Sequence, residues 1–139
     1  MMLPIFGGFF RCLSEKPVPT LNFFPDSISH LSAPVKPIKT WVGNSSWYGP
    51  GFNGKKTANG ERFDCEALTA AHPNLPFGSI VRVVNPRNGK FELVRINDRG
   101  PYQEGREIDV SYRVARKIGL INSGVSQVRL ELMELPQKH

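Results

Sequence analysis

A small closed β-sheet with one minor helix is the fold class that this sequence predicts. Three observations carry it: period-two alternation in several short segments, Gly, Pro and Asn punctuation between them, and a single stretch with helical spacing. Ser45 to Tyr48 and Thr69 to His72 are the first short strand candidates. Ser79 to Val84 and Phe91 to Asn97 flank Pro86-Arg87-Asn88-Gly89 and read as a hairpin closed by an Asn-Gly turn. Glu107 to Val110 is a further short strand. After it, Ser111 is suited to an N-cap, Val114, Ala115 and Ile118 share one helical face, and Gly119 suits the stop. The last element is again β, because Val128, Leu130 and Leu132 alternate with Arg129, Glu131 and Met133. Mainly β, a barrel with one short helix, is therefore the expectation.

The 139 residues hold one domain with a modest core, at 40% hydrophobic and 22% charged. Residues 1–40 carry Pro4, Pro17, Pro19, Pro25, Pro34 and Pro37 without a sustained period, so they are expected to be a disordered Pro-rich segment, with the barrel domain over 41–136. Met1 to Leu13 is apolar and aromatic, yet too short to span a bilayer and without a basic leader. It reads as a degenerate export signal. Cys12 follows Phe10 and Arg11 rather than small residues, so a lipid anchor there is not expected. Cys12 and Cys65 make neither a zinc site nor a disulfide framework, and His30, His72 and His139 are too scattered for a metal cluster. No metal and no cofactor are expected.

The formal net charge is +6. Its basic residues are scattered, with Lys55-Lys56 the densest pair, and the arginine-rich helix or aromatic stacking motif of a nucleic-acid reader is missing. No nucleic acid partner is expected; an anionic wall or membrane surface suits the charge equally well.

Chemistry concentrates in two acidic positions. The strand ending at Asn97 sets Asp98 at its mouth, Gly100-Pro101 turns the chain, and Asp109 lies between Ile108 and Val110, its carboxyl on the face opposite theirs. Two carboxylates meeting in one cleft can carry acid–base work. The structural reading competes: Asp98 caps the turn at Gly100, and Asp109 sits just ahead of a helix start.

Ser46-Trp47-Tyr48-Gly49-Pro50-Gly51-Phe52, Gly54 through Asp64, Leu68-Thr69-Ala70-Ala71-His72, Leu75-Pro76-Phe77-Gly78, and Asn97-Asp98-Arg99-Gly100-Pro101-Tyr102 through Ser111 together resemble the RlpA (rare lipoprotein A) family. The resemblance covers roughly Val42 to Leu135. It implies a six-stranded double-psi β-barrel, related to those of MltA-type lytic transglycosylases and expansins. It also implies endolytic cleavage of peptidoglycan between N-acetylmuramic acid and N-acetylglucosamine, on strands stripped of stem peptides, with formation of a 1,6-anhydro ring. Such a reaction needs one group as acid and then as base, with no water nucleophile.

By the same resemblance Asp98 and Asp109 are the candidate proton carriers, with the assignment between them open. Glu61, Asp64 and His72 match further catalytic positions. Asn59-Gly60 can present Glu61 and Asp64 from one loop, and His72 could orient a carboxylate or bind a sugar hydroxyl. Trp47, Tyr48 and Tyr102 fit amphipathic platforms for sugar rings, and Arg99 a contact to a substrate carboxylate or a pairing with a neighbouring acid. Peptidoglycan glycan is the expected partner, the cell envelope, periplasmic or secreted, the expected location. No stable transmembrane span and no SPOR domain are expected in this chain. The alternative is a noncatalytic, expansin-like module that binds or loosens wall glycan; a cellulose-directed hydrolase ranks third.

Overall fold

The computed structural model describes residues 35–138. Expectations that fall on the N-terminal segment, Cys12 and His30 among them, and on His139 lie outside the described residues. Six strands close into a barrel: β1 (Lys39–Trp47), β2 (Thr69–Ala71), β3 (Ile80–Val84), β4 (Phe91–Asp98), β5 (Ile108–Val110) and β6 (Ser126–Glu134). One helix, α1 (Tyr112–Ile118), lies between β5 and β6. Around the barrel the order is β1-β5-β2-β4-β3-β6. The β1–β5 and β2–β4 pairs are parallel and the other four antiparallel.

The mainly-β expectation is borne out, and the alternation explains why. Val81, Val83, Val94, Ile96, Ile108, Val110, Val128 and Leu130 all point inward and are fully or nearly fully buried. Val114, Ala115 and Ile118 of α1 close the same core. Its ends follow the sequence signals: Ser111 accepts from the Val114 N–H, and Gly119 takes φ +79°, a left-handed cap that costs glycine nothing sterically. In the β3–β4 turn Gly89 takes φ +74°, and the Asn85 N–H donates to the Lys90 carbonyl across it. Asn85 and Asn88 then donate from their amides to the Ile118 carbonyl, tying the turn to the C-terminus of α1.

β1 is longer than its alternation suggested. It begins at Lys39 and pairs antiparallel with β6 from Lys39↔Leu132 to Ser45↔Ser126. Thr40, Trp41 and Val42 favour a strand while Gly43 and Asn44 do not, so pairing with β6 carries the strand through these two. Cys65 is buried and disulfide-bonded. That departs from the sequence reading, which expected no disulfide framework. No helix among the described residues is long and apolar enough to cross a membrane.

Ile96 is completely buried between α1 and the facing strands. Ile96→Ala should lower the unfolding free energy by about 2–5 kcal/mol, read from the midpoint of a urea titration.

Candidate active site

Ala71 organises the site. It pairs with Asp98 of β4 on one side and with Asp109 of β5 on the other, so the two acids stand in one cross-strand row, two strand spacings or about 10 Å apart at the backbone. A register shift between Ala70 and Ala71 makes this row. Ala70 pairs with Ile96, and the bulge skips Asn97, so Asp98 rather than Asn97 comes opposite Ala71. The Ala71 side chain is small, and Tyr48 packs beside it with Phe63 and Cys65.

Asp98 faces a cleft of about 330 Å³ lined by Tyr48, Phe52, Lys55, Lys56, Phe63 and Tyr102, among others. Three donors hold its carboxylate. Oδ1 accepts from the Ala58 N–H and the Arg99 N–H, both at 2.9 Å, and Oδ2 accepts from the Tyr48 hydroxyl at 3.0 Å. Burial, with Asp98 and Asp109 nearby, pushes the Tyr48 phenol far above its ordinary value, so it stays a neutral hydroxyl. Tyr48 itself is almost entirely buried, its ring edge-on to Phe63 at 4.9 Å; only its polar end serves the cleft.

Asp109 does not open on that cleft. It is fully buried on β5, opposite Ser46 of β1. One oxygen accepts from the Ser46 hydroxyl, which in turn accepts from Arg106 Nη1 at 2.9 Å. The other oxygen has no hydrogen-bond partner among the described residues. Burial raises the pKa of Asp109 against the lowering influence of Ser46 and Arg106.

Glu61 is placed elsewhere. Its carboxylate forms a two-pronged ion pair with Arg95 of β4, at 2.6 and 2.7 Å, and accepts from the Asn59 amide at 2.7 Å. The Arg95 and Asn59 hydrogen bonds bring its pKa down to about 2. The Thr57–Glu61 loop closes on itself through the Thr57 N–H to the Glu61 carbonyl, and Gly60 supplies the φ of +95° this requires. Arg95 thus pins the loop against β4, and the loop presents the Ala58 N–H to Asp98. Asp64 is exposed and its carboxylate accepts from the Glu66 N–H, a turn cap outside the cleft.

His72 caps as well: Nδ1 accepts from the Asn74 and Leu75 N–H groups at 3.2 and 3.1 Å. Burial holds its pKa below the ordinary imidazole value. Arg99 lines the cleft, but its guanidinium stacks on Phe77 at 3.9 Å and donates to the carbonyls of His72 and Leu75. Trp47 is a core residue, edge-on to Tyr112, and no sugar can stack on it. Tyr102 is 76% exposed at the cleft edge.

The structure therefore brings Asp98, Tyr48, Arg99 and Tyr102 together, sets Asp109 behind them, and leaves Glu61, Asp64, His72 and Trp47 outside the cleft. Lys55, Lys56, Phe52, Phe63 and Ala58 are cleft residues that sequence reasoning had not assigned to a site. Among the described residues no cluster of side chains could hold a metal ion.

A family model described as "Lytic transglycolase" matches residues 40–130. The chain belongs to that family. A lytic transglycolase barrel accounts for the closed six-stranded sheet, and curated relatives agree with it. The probable endolytic peptidoglycan transglycosylase RlpA of Synechocystis sp. is 56% identical over 103 residues, 74% of this chain and 32% of that protein. The endolytic peptidoglycan transglycosylase RlpA of Neisseria meningitidis is 53% identical over 92 residues, 66% of this chain and 38% of that protein. The chain spans about a third of the length of these relatives. Two solved structures share the fold. Streptomyces papain inhibitor aligns with a TM-score of 0.58 at 19% identity, over 73% of this chain and 100% of its own. An expansin of Clavibacter michiganensis in complex with cellohexaose aligns at 0.57 and 17%, over 73% of this chain and 54% of its own.

Two acid-side predictions follow from opposite pKa directions. The Glu61 pKa is depressed, so the Arg95 pair contributes above the ordinary value of 4.5 and is lost as pH falls through about 2. Both partners are more than a third exposed, which limits the contribution to about 1 kcal/mol or less. Urea titrations across that range should show a shallower loss of stability for Glu61→Gln than for the parent. Asp109 has a raised pKa, so the stability its neutral form provides is complete at acid pH and is lost as pH rises through that raised value. Asp109→Asn, which stays neutral, should gain stability relative to the parent on going from acid to neutral pH.

Proposed function

We propose that this barrel cleaves peptidoglycan glycan strands endolytically as a lytic transglycosylase, with Asp98 as the proton carrier. The observation that carries this is the Asp98 carboxylate facing an aromatic-lined cleft while held by three donors. The names of the relatives, which match this chain at 53–56% identity, support the substrate and the reaction class.

The hydrogen bonds favour one of its oxygens for this work. Two backbone N–H groups aim at Oδ1, so in the acid form Oδ1 is the carbonyl oxygen and the proton sits on Oδ2. Tyr48, whose hydroxyl rotates, donates to Oδ2 of the carboxylate and accepts from Oδ2 of the acid. In the first half of the reaction Oδ2–H gives its proton to the glycosidic oxygen, and the bond from muramic C1 to that oxygen breaks. In the second half the muramic 6-hydroxyl adds to C1 and returns its proton to Oδ2. The products are a 1,6-anhydro end and a free 4-hydroxyl, and Asp98 is again an acid. The nucleophile belongs to the sugar, so proximity favours it over water, and the rings of Phe52 and Phe63 line the walls of that space.

Asp109 is a positioning residue in this scheme. A side chain with no exposure does not reach a polysaccharide, but through Ser46 it anchors β1 beside β5 where Tyr48 leaves the strand. The Asp98 charge adds a small raising influence to the pKa of Asp109, which burial dominates. The envelope, where the glycan is, is the compartment this activity requires.

Asp98→Asn should lower the release of 1,6-anhydro-muramic ends from purified sacculi by about a hundredfold or more, with the fold retained by circular dichroism. Tyr48→Phe removes one hydrogen bond to a charged group and should lower turnover by about tenfold to a hundredfold. Mass spectrometry of the products decides the class: reducing ends would indicate hydrolysis, and no soluble product would indicate the noncatalytic, wall-binding alternative. Parental turnover by Asp98→Asn would remove it from the mechanism.

A further inference from the structure

A second hollow lies beside the first. It measures about 270 Å³ and is lined by Lys39, Trp41, His72, Asn74, Leu75 and Glu107. It borders the Asp98 cleft closely: the His72 N–H donates to the Asp98 carbonyl, and the Arg99 side chain, part of the cleft, donates to the carbonyls of His72 and Leu75. The Glu107 carboxylate accepts from Trp41 Nε1 at 2.6 Å, and no other hydrogen bond to it is formed among the described residues. Gly43 makes room for it, since a Cβ there would collide with the carboxylate. Lys39 lies over the Trp41 ring at 5.2 Å, and His72 meets the same ring edge-on at 6.1 Å.

The hydrogen bonds fix the His72 tautomer. Nδ1 accepts two backbone N–H groups, so it carries no proton, and the neutral ring holds its hydrogen on Nε2. The hollow therefore offers one fixed donor, one carboxylate acceptor with spare capacity, and an indole that is partly buried rather than fully packed. A donor, an acceptor and an aromatic ring in a space of this size suit a single pyranose better than a drug-sized ligand.

We infer that the Trp41–His72–Glu107 hollow is a second sugar-binding subsite, which takes an N-acetylhexosamine unit of the glycan whose neighbouring units occupy the Asp98 cleft. The inference deepens the glycan-cleaving reading and rests on it for the identity of the sugar. Lys39 and Glu107 give the hollow one charge of each sign, so neither sugar of the glycan is repelled by its net charge. A strand gripped on both sides of Arg99 is held away from its ends, which suits endolytic cutting.

The two tryptophans of the chain make this testable, because Trp47 is buried in the core and Trp41 lines the hollow. Fluorescence of the full chain is titrated with N-acetylglucosamine oligomers of increasing length. A saturable change in emission, absent in Trp41→Phe, is expected. Glu107→Gln keeps an acceptor for Trp41 but loses the charge, and should weaken the affinity about tenfold. Gly43→Ala, which displaces the carboxylate instead of altering it, should weaken it similarly. No emission change, or equal affinity in the parent, Glu107→Gln and Gly43→Ala, would overturn the subsite. Release of anhydro-muramic ends from sacculi, measured in parallel, separates the two readings: product without an emission response overturns the subsite alone, whereas a variant-sensitive response without product supports the subsite and counts against cleavage.

Discussion

The row Asp98–Ala71–Asp109 is the constraint on which the rest of the site depends. Three strands far apart in the chain must pair in one register for it to form, and one bulge must shift that register between Ala70 and Ala71. In a strand a slip of one residue turns a side chain to the opposite face. Without the bulge, Asn97 would stand opposite Ala71. The barrel core, in which Ile96, Ile108 and Val110 are all fully buried, opposes any such slip because it would move those side chains out.

Around this row the protein treats two chemically identical groups differently. Asp98 has an open side and three donors; Asp109 has burial, one hydroxyl and one oxygen without a partner among the described residues. An unpaired polar atom in the interior is costly, and the cost falls mainly on the charged form. The raised pKa of Asp109 expresses that cost. Tyr48 stands close enough to both acids for each to raise its pKa, yet hydrogen-bonds to Asp98.

The polar residues around the cleft form its frame. Glu61 and Arg95 fix the loop that presents the Ala58 N–H; His72 and Arg99 fix the backbone after β2. In the last two a side chain satisfies backbone groups that no strand partner can reach. The same devices shape the second hollow, where the cap formed by His72 Nδ1 leaves its other ring nitrogen as the donor.

Much of this was legible in the order of residues. Alternation in 79–84, 91–97 and 128–133 gave the strands, Ser111 and Gly119 gave the ends of α1, and the spaced motifs gave the family resemblance, because strand period and cap chemistry are local properties. The extent of β1 was not legible, since Gly43 and Asn44 interrupt the strand signal of Thr40, Trp41 and Val42 and pairing with β6 carries the strand through them. Nor were the roles of the acids. Glu61 and Arg95 are 34 positions apart, and an arginine within an alternating strand is the only hint that a carboxylate must meet it. Sequence alone determined which elements form and which side chains are available to do chemistry. Tertiary structure decided which carboxylate faces the cleft, which is sealed and which is spent on an ion pair, because solvent exposure and hydrogen-bond partners are set by strand register and barrel closure.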